Sequence, residues 1–135
     1  MSRLSTLLRR FGLAFVFVSF GIWELANPAY WAGFVPSFAT HLIDPLILVR
    51  VHGAALILVG LAVLFGFLLR ISAALAVIIM LEIVSSLWFQ AGFTDIFARD
   101  VAILFLAGSI FVESLSSSPH YANSKKESTD AQSSG

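Results

Sequence analysis

The chain has 135 residues, of which 59% are hydrophobic and 12% are charged, and its formal net charge is zero. Soluble domains are about half apolar and about a quarter charged, so this composition favours a membrane protein. The zero net charge gives no reason to expect a nucleic-acid partner. Cysteine is absent, which excludes thiol redox chemistry and thiolate metal sites formed by this chain alone.

Four stretches have, or nearly have, the roughly 20 mainly apolar residues that a transmembrane helix needs. The predicted fold is therefore an all-α integral membrane four-helix bundle within residues 1–115. We predict the four spans at about residues 7–26, 45–66, 71–89 and 96–115.

Local signals mark the ends of these helices. Asn27-Pro28 stops the first, and Asp44 is a plausible N-cap for the second, with proline at its first helical position. Gly66 suits the left-handed residue that follows a helix end, and Arg70 is expected in the very short turn after it. Thr94 or Asp95 is expected to cap the fourth helix.

Two segments do not read as membrane spans. Residues 27–44 form a predicted loop rich in aromatic residues, proline and glycine. Residues 116–135 are Ser-rich and polar, with almost no large apolar groups, so we predict a disordered tail.

The basic residues indicate the orientation. If four helices alternate, two basic residues, Arg50 and Arg99, lie toward one side, and six fall on the other: Arg3, Arg9, Arg10, Arg70, Lys125 and Lys126. The side richer in basic residues faces the cytoplasm, which places both termini there. Four aromatic residues gather at the opposite face, as interfacial anchors would: Trp23, Tyr30, Trp31 and Trp88.

The N-terminal segment could instead be a cleaved signal peptide. Arg9-Arg10 precedes an apolar run that ends in small residues near Ala26 and Ala29, and the arginine pair is similar to a twin-arginine signal. Trp23 and Glu24 are unusual in a signal peptide and natural in a retained helix, so we expect a retained helix.

Ionisable residues inside spans are costly and are functional hypotheses by default. At about 1.5 Å per residue, five of them lie about 3 to 12 Å from the outer ends of their helices: Glu24, Arg50, His52, Glu82 and Asp100. The inner halves of the spans are expected to carry no charged residue. We predict one polar pocket, open toward the outer face, from six residues: Glu24, Arg50, His52, Glu82, Arg99 and Asp100.

His52 and Glu82 are the most informative members of this set, because both are too deep to reach water easily. Arg50 lies about 200° around the helix from His52, so the two cannot face one point. Arg50 and Arg99 could simply pair with acids or lipid phosphate, and Asp100 could be only an end charge. A ligand site, a proton relay and a structural ion pair all remain open.

No self-sufficient catalytic motif is present. One histidine among carboxylates is too little to predict a metal site, and there is no nucleotide-binding loop or nucleophile elbow. The sequence gives no metal or nucleotide signal for a cofactor.

Three segments together carry a resemblance to a known family. They are VHGAALILVGLAVLFGFLLRISAALAVIIML at residues 51–81, RRFGLAFVFVSFGIWELANP at 9–28 and ARDVAILFLAGSIFV at 98–112. In order and spacing they resemble the DoxX-like membrane proteins over about residues 9–113. The resemblance implies a four-helix bundle in the cytoplasmic membrane of a prokaryote. It also implies links to quinone-dependent sulfur oxidation and to membrane oxidoreductase complexes.

Two departures from the family pattern fall in the predicted pocket. Family members often have Glu where this chain has His52, and a basic residue where it has Glu24. We therefore expect an accessory or binding subunit of a membrane redox system, with a quinone as the conceivable cofactor. Its partners would be membrane lipid and membrane or redox proteins. The rival readings are an assembly or chaperone-like membrane protein without a small ligand, and a small transporter.

Overall fold

The computed structural model describes residues 3–116, and the regular structure in that part of the chain is helical throughout. The predicted tail therefore lies outside the described residues, apart from Ser116 at the end of the last helix. In chain order the helices are α1 (Arg3–Ala26), α2 (Pro28–Ala32), α3 (Ser37–Thr40), α4 (Pro45–Phe65), α5 (Leu69–Ala91) and α6 (Asp95–Ser116).

The predicted caps of the long helices are confirmed. The Asp44 side chain accepts a hydrogen bond of 2.8 Å from the backbone N–H of Leu46 at the start of α4. Gly66 ends α4 in the left-handed conformation, with φ 71°. Thr94 accepts a 3.1 Å hydrogen bond from the Phe97 N–H in the first turn of α6.

Two local predictions need correction. The segment 27–44 is not only a loop, because it contains the short helices α2 and α3. Pro28 begins α2, where its fixed φ suits the first helical position. Arg70 lies in the first turn of α5 and not in the preceding turn, because that turn is completed by Leu68 in a left-handed conformation.

The long helices alternate in direction. The Arg9 guanidinium, near the start of α1, lies 2.7 Å from the Glu113 carboxylate near the end of α6. Arg10 lies beside Gly66 at the end of α4, because a Cβ added to Gly66 would be 3.0 Å from Arg10 Nη1. We call this end of the molecule, which carries Arg9, Arg10 and Arg70, the basic end.

Glu113 corrects the expectation that the inner halves of the spans carry no charge. It lies within the predicted fourth span and joins Arg9, and it also accepts a 2.8 Å hydrogen bond from the Thr6 hydroxyl. An acid that close to the end of a helix can be balanced by a basic residue of the neighbouring helix. The sequence alone does not show which helix end lies beside it.

Helix α1 packs mainly on α4, and α5 packs mainly on α6. Glycines allow the first of these contacts to be close. A Cβ added at Gly21 would lie 2.5 Å from the Gly53 carbonyl oxygen, and one at Gly60 would lie 3.0 Å from the Phe17 Cβ. Gly53 and Gly60 therefore mark close helix packing. Apolar side chains of all four long helices fill the core, among them Leu13, Phe17, Leu56, Val63, Met80 and Ile110.

The outer surface of the long helices is apolar. Large hydrophobic side chains are exposed along them, including Phe11, Phe15, Leu58, Ile78, Leu81 and Phe105. Such a surface suits lipid and not water. Three helices, α1, α4 and α5, are long and apolar enough to cross a membrane. Helix α6 has 22 residues but includes four ionisable ones: Asp95, Arg99, Asp100 and Glu113.

The glycine contact between α1 and α4 generates a stability prediction. Gly21→Ala should destabilise the protein by about 1–3 kcal/mol, because the new methyl group overlaps the α4 backbone. Gly108→Ala is the matched control, since its Cβ would meet open space, and it should be neutral or slightly stabilising. Thermal unfolding in detergent compares the two variants. Equal unfolding midpoints would show that the close contact is not required.

Candidate functional site

A cavity of about 220 Å³ lies at the end of the molecule opposite the basic end. All four long helices and the connection between α1 and α4 contribute to its wall. Five of the six predicted site residues line it: Glu24, His52, Glu82, Arg99 and Asp100. That they bind a ligand stays a prediction.

The best-defined contact in the cavity joins α1 to α4. Glu24 Oε2 lies 2.8 Å from His52 Nδ1, and the Glu24 side chain is only 8% exposed. This contact depends on glycine, because the Cβ of Glu24 lies 2.9 Å from the position that a Cβ on Gly53 would occupy. When the Glu24 carboxylate is ionised it can only accept hydrogen bonds, and His52 then donates to it from Nδ1–H.

The other nitrogen of the same imidazole faces α5. His52 Nε2 lies 3.4 Å from Glu82 Oε2, close enough for an ion pair. The geometry does not make a hydrogen bond, and Nε2 is buried without a hydrogen-bond partner among the described residues. The Glu82 side chain is 57% exposed, so the protein packs around it much less than around Glu24. This pair is therefore an adjustable contact, in contrast to the fixed Glu24–His52 bond.

Arg99 and Asp100 form a second charged pair on α6. Arg99 Nε donates to Asp100 Oδ1 at 2.8 Å, and the Asp100 side chain is almost completely buried. The guanidinium also lies over the Phe20 ring, 5.0 Å from its centroid. These two contacts fix the plane of the guanidinium, while about half of the Arg99 side chain stays exposed.

Arg50 is the predicted site residue that does not line the cavity. It is exposed on α4, on another side of the helix from His52. Two residues of helix turn place Arg50 about 200° around α4 from His52, in agreement with the prediction that the two side chains do not face one point.

Sequence reasoning missed the aromatic wall of the cavity. Trp23, Tyr30 and Trp31 were expected to be interfacial anchors only, yet they line the cavity together with Phe20 and Phe34. The Trp31 ring has edge-to-face contacts with three neighbours, at 5.7 Å from Phe20 and 5.3 Å from both Trp23 and Tyr30. The spacing of Tyr30 and Trp31 on α2, with Phe34 just after its end, was the available signal.

The arrangement combines aromatic walls with a few convergent polar groups. Such a combination is typical of small-molecule sites, in which apolar walls hold the ligand and polar groups orient it. His52 can exchange a proton at Nε2 while Glu24 holds Nδ1 in place. Arg99 offers guanidinium N–H groups at the exposed side of the cavity.

Long apolar helices with lipid-compatible surfaces define an α-helical integral membrane protein. The sequence model of the DoxX family matches residues 5–91. The chain therefore belongs to the DoxX family, and the resemblance noted from the sequence is confirmed. The match covers α1 to α5 and leaves α6 outside it. No curated protein and no solved structure matches the chain.

Proposed function

We propose that the chain is a four-span accessory or binding subunit of a quinone-linked redox system in the cytoplasmic membrane of a prokaryote. Its aromatic cavity would lie in the outer leaflet and bind one ring-shaped headgroup. The observation that carries the proposal is the juxtaposition of the Glu24–His52–Glu82 cluster with the aromatic wall in one cavity.

The distribution of charge supports the orientation. Arg9 and Arg10 lie at the basic end together with Arg70, and basic residues favour the cytoplasmic side. The aromatic cavity lies at the other end, where tryptophan and tyrosine suit the opposite interface. Both chain termini would then be cytoplasmic.

The paired charges of α6 support its role as the fourth span. Asp100 pairs with Arg99, and Glu113 pairs with Arg9 of α1. Asp95 is the first residue of the helix, at the interface in this orientation. Paired charges near helix ends are much less costly in a membrane than isolated charges at mid-depth.

The dimensions of the cavity fit a single substituted ring. An apolar protein cavity of about 150 Å³ holds a benzene molecule, and this one has about 220 Å³. The buried Nε2 of His52 has no hydrogen-bond partner among the described residues, so a ring oxygen could bond there. A quinone would supply the redox chemistry.

Each side chain has a distinct role in this proposal. His52 holds or releases a proton at Nε2, and Glu24 fixes the ring so that only this nitrogen is available. Glu82, whose Oε2 lies 3.4 Å from Nε2, accepts that proton from His52 or returns it. Arg99, positioned by Asp100 and Phe20, orients an oxygen on the exposed side of the ring.

The proposed topology predicts opposite labelling of two sites. The chain has no cysteine, so His41→Cys and Ser116→Cys each provide a single thiol. A membrane-impermeant maleimide should label His41→Cys in intact spheroplasts and label Ser116→Cys only after lysis. Labelling of Ser116→Cys in intact spheroplasts would show that α6 does not cross the membrane.

The ligand proposal predicts binding of 2-decyl-1,4-benzoquinone to the protein in lipid nanodiscs, measured by calorimetry. His52→Leu should weaken binding about tenfold, the equivalent of about one hydrogen bond. Arg50→Gln is the matched control on the same helix and should leave the affinity unchanged, because Arg50 lies outside the cavity.

Three results would contradict the ligand proposal. The first is no binding by the native chain, and the second is an equal loss of affinity in the Arg50→Gln control. The third is the recovery, from a mild detergent extract, of stable protein partners without any bound ring compound. That result would favour the assembly-protein reading.

A further inference from the structure

The connection between α1 and α4 lies against one side of the cavity. Trp31 and Phe34 line the cavity from α2 and its end, and Val35 and Pro36 continue the wall. We call residues 28–36 the cover. It is attached differently to the helices on its two sides.

Toward α1 the cover is held by aromatic packing. The Tyr30 ring stacks on Trp23 at 5.9 Å with an interplanar angle of 9°. Trp31 has edge-to-face contacts with Phe20 and Trp23 of the same helix. Helix α2 also packs on α4. The chain also joins the cover to α1 directly through Asn27, and hinges lie at such positions at the ends of elements, so this side suits a hinge.

Toward α5 the cover is held at one backbone carbonyl. Ser86 Oγ donates a 3.2 Å hydrogen bond to the carbonyl oxygen of Phe34. Gln90 Nε2 donates to the same oxygen, and it also lies 2.9 Å from Ser86 Oγ. These bonds are exposed, and exposed hydrogen bonds that join a loop to a helix are among the first to open.

We propose that the cover is a lid hinged on α1, and that Ser86 and Gln90 form the latch that holds it closed. Opening at α5 would separate Phe34 from Ser86 and give access to the buried part of the cavity around Val49 and Leu87, which lies away from the exposed side at Arg99. Ser86 lies one turn from Glu82 on α5, and both line the cavity. A polar molecule that enters on this side would meet the latch before it reaches His52.

The labelling rate of a thiol inside the cavity measures the opening without any ligand. Val49 is 5% exposed and lines the cavity from α4, and the chain has no other thiol. In nanodiscs, Val49→Cys should react slowly with a small cationic methanethiosulfonate reagent. Adding Gln90→Leu or Ser86→Ala should raise the rate about fivefold or more, because the closed state loses hydrogen bonds.

Ser85→Ala is the matched control. Its hydroxyl bonds to the Leu81 carbonyl of its own helix at 2.6 Å and does not touch the cover. Added to Val49→Cys, it should leave the labelling rate within about twofold of that of Val49→Cys alone, because no latch bond is lost. Leu87→Cys, which is buried and lines the cavity from α5, repeats the measurement if Val49→Cys does not fold.

Three outcomes would overturn the lid. One is the same labelling rate in the latch variants and in Ser85→Ala. Another is fast labelling of the cavity thiol with the latch intact, since the cover would then close nothing. The third is no labelling in any variant, which would show that the cavity does not open at α5.

Discussion

The structure depends on one constraint: an imidazole that lies among apolar helices needs partners that lipid cannot supply. His52 finds one in Glu24 of α1, at 2.8 Å, and approaches a second in Glu82 of α5, at 3.4 Å. The backbone hydrogen bonds of each helix are made within that helix, but these polar side chains need partners on other helices. The polar contacts therefore tie three helices together at one place, and the cavity lies where they meet.

Glycine makes that meeting possible. Gly21 and Gly53 bring the backbones of α1 and α4 so close that an added methyl group on either would overlap the facing helix. The same approach carries Glu24 to His52. The packing of α1 on α4 and the chemistry of the cavity are thus one feature, and a change at either glycine would be felt at the imidazole. At the basic end, a separate ion pair between Arg9 and Glu113 joins α1 to α6.

Periodicity and capping predicted the helical class, the caps at Asp44 and Gly66, and the separation of Arg50 from His52, because each depends on local geometry. The spacing of the aromatic residues alone did not predict the aromatic wall, since the wall depends on where the 27–44 connection folds back. Tyr30 and Trp31 looked like interfacial anchors because tryptophan and tyrosine suit both places. The family match over residues 5–91 identifies the chain as a DoxX-family membrane protein, but it does not identify a ligand.

A double-mutant cycle on Glu24 and His52 tests the central claim most directly, with unfolding measured in lipid-containing micelles. Glu24→Leu alone and His52→Leu alone should each destabilise the protein by about 1–3 kcal/mol, because each leaves a mostly buried polar partner unpaired. The double variant should recover much of that loss, since apolar replacement of both partners leaves nothing unsatisfied. A double variant that loses the sum of the two single effects would show that the residues act independently, and the account of the cavity would be contradicted.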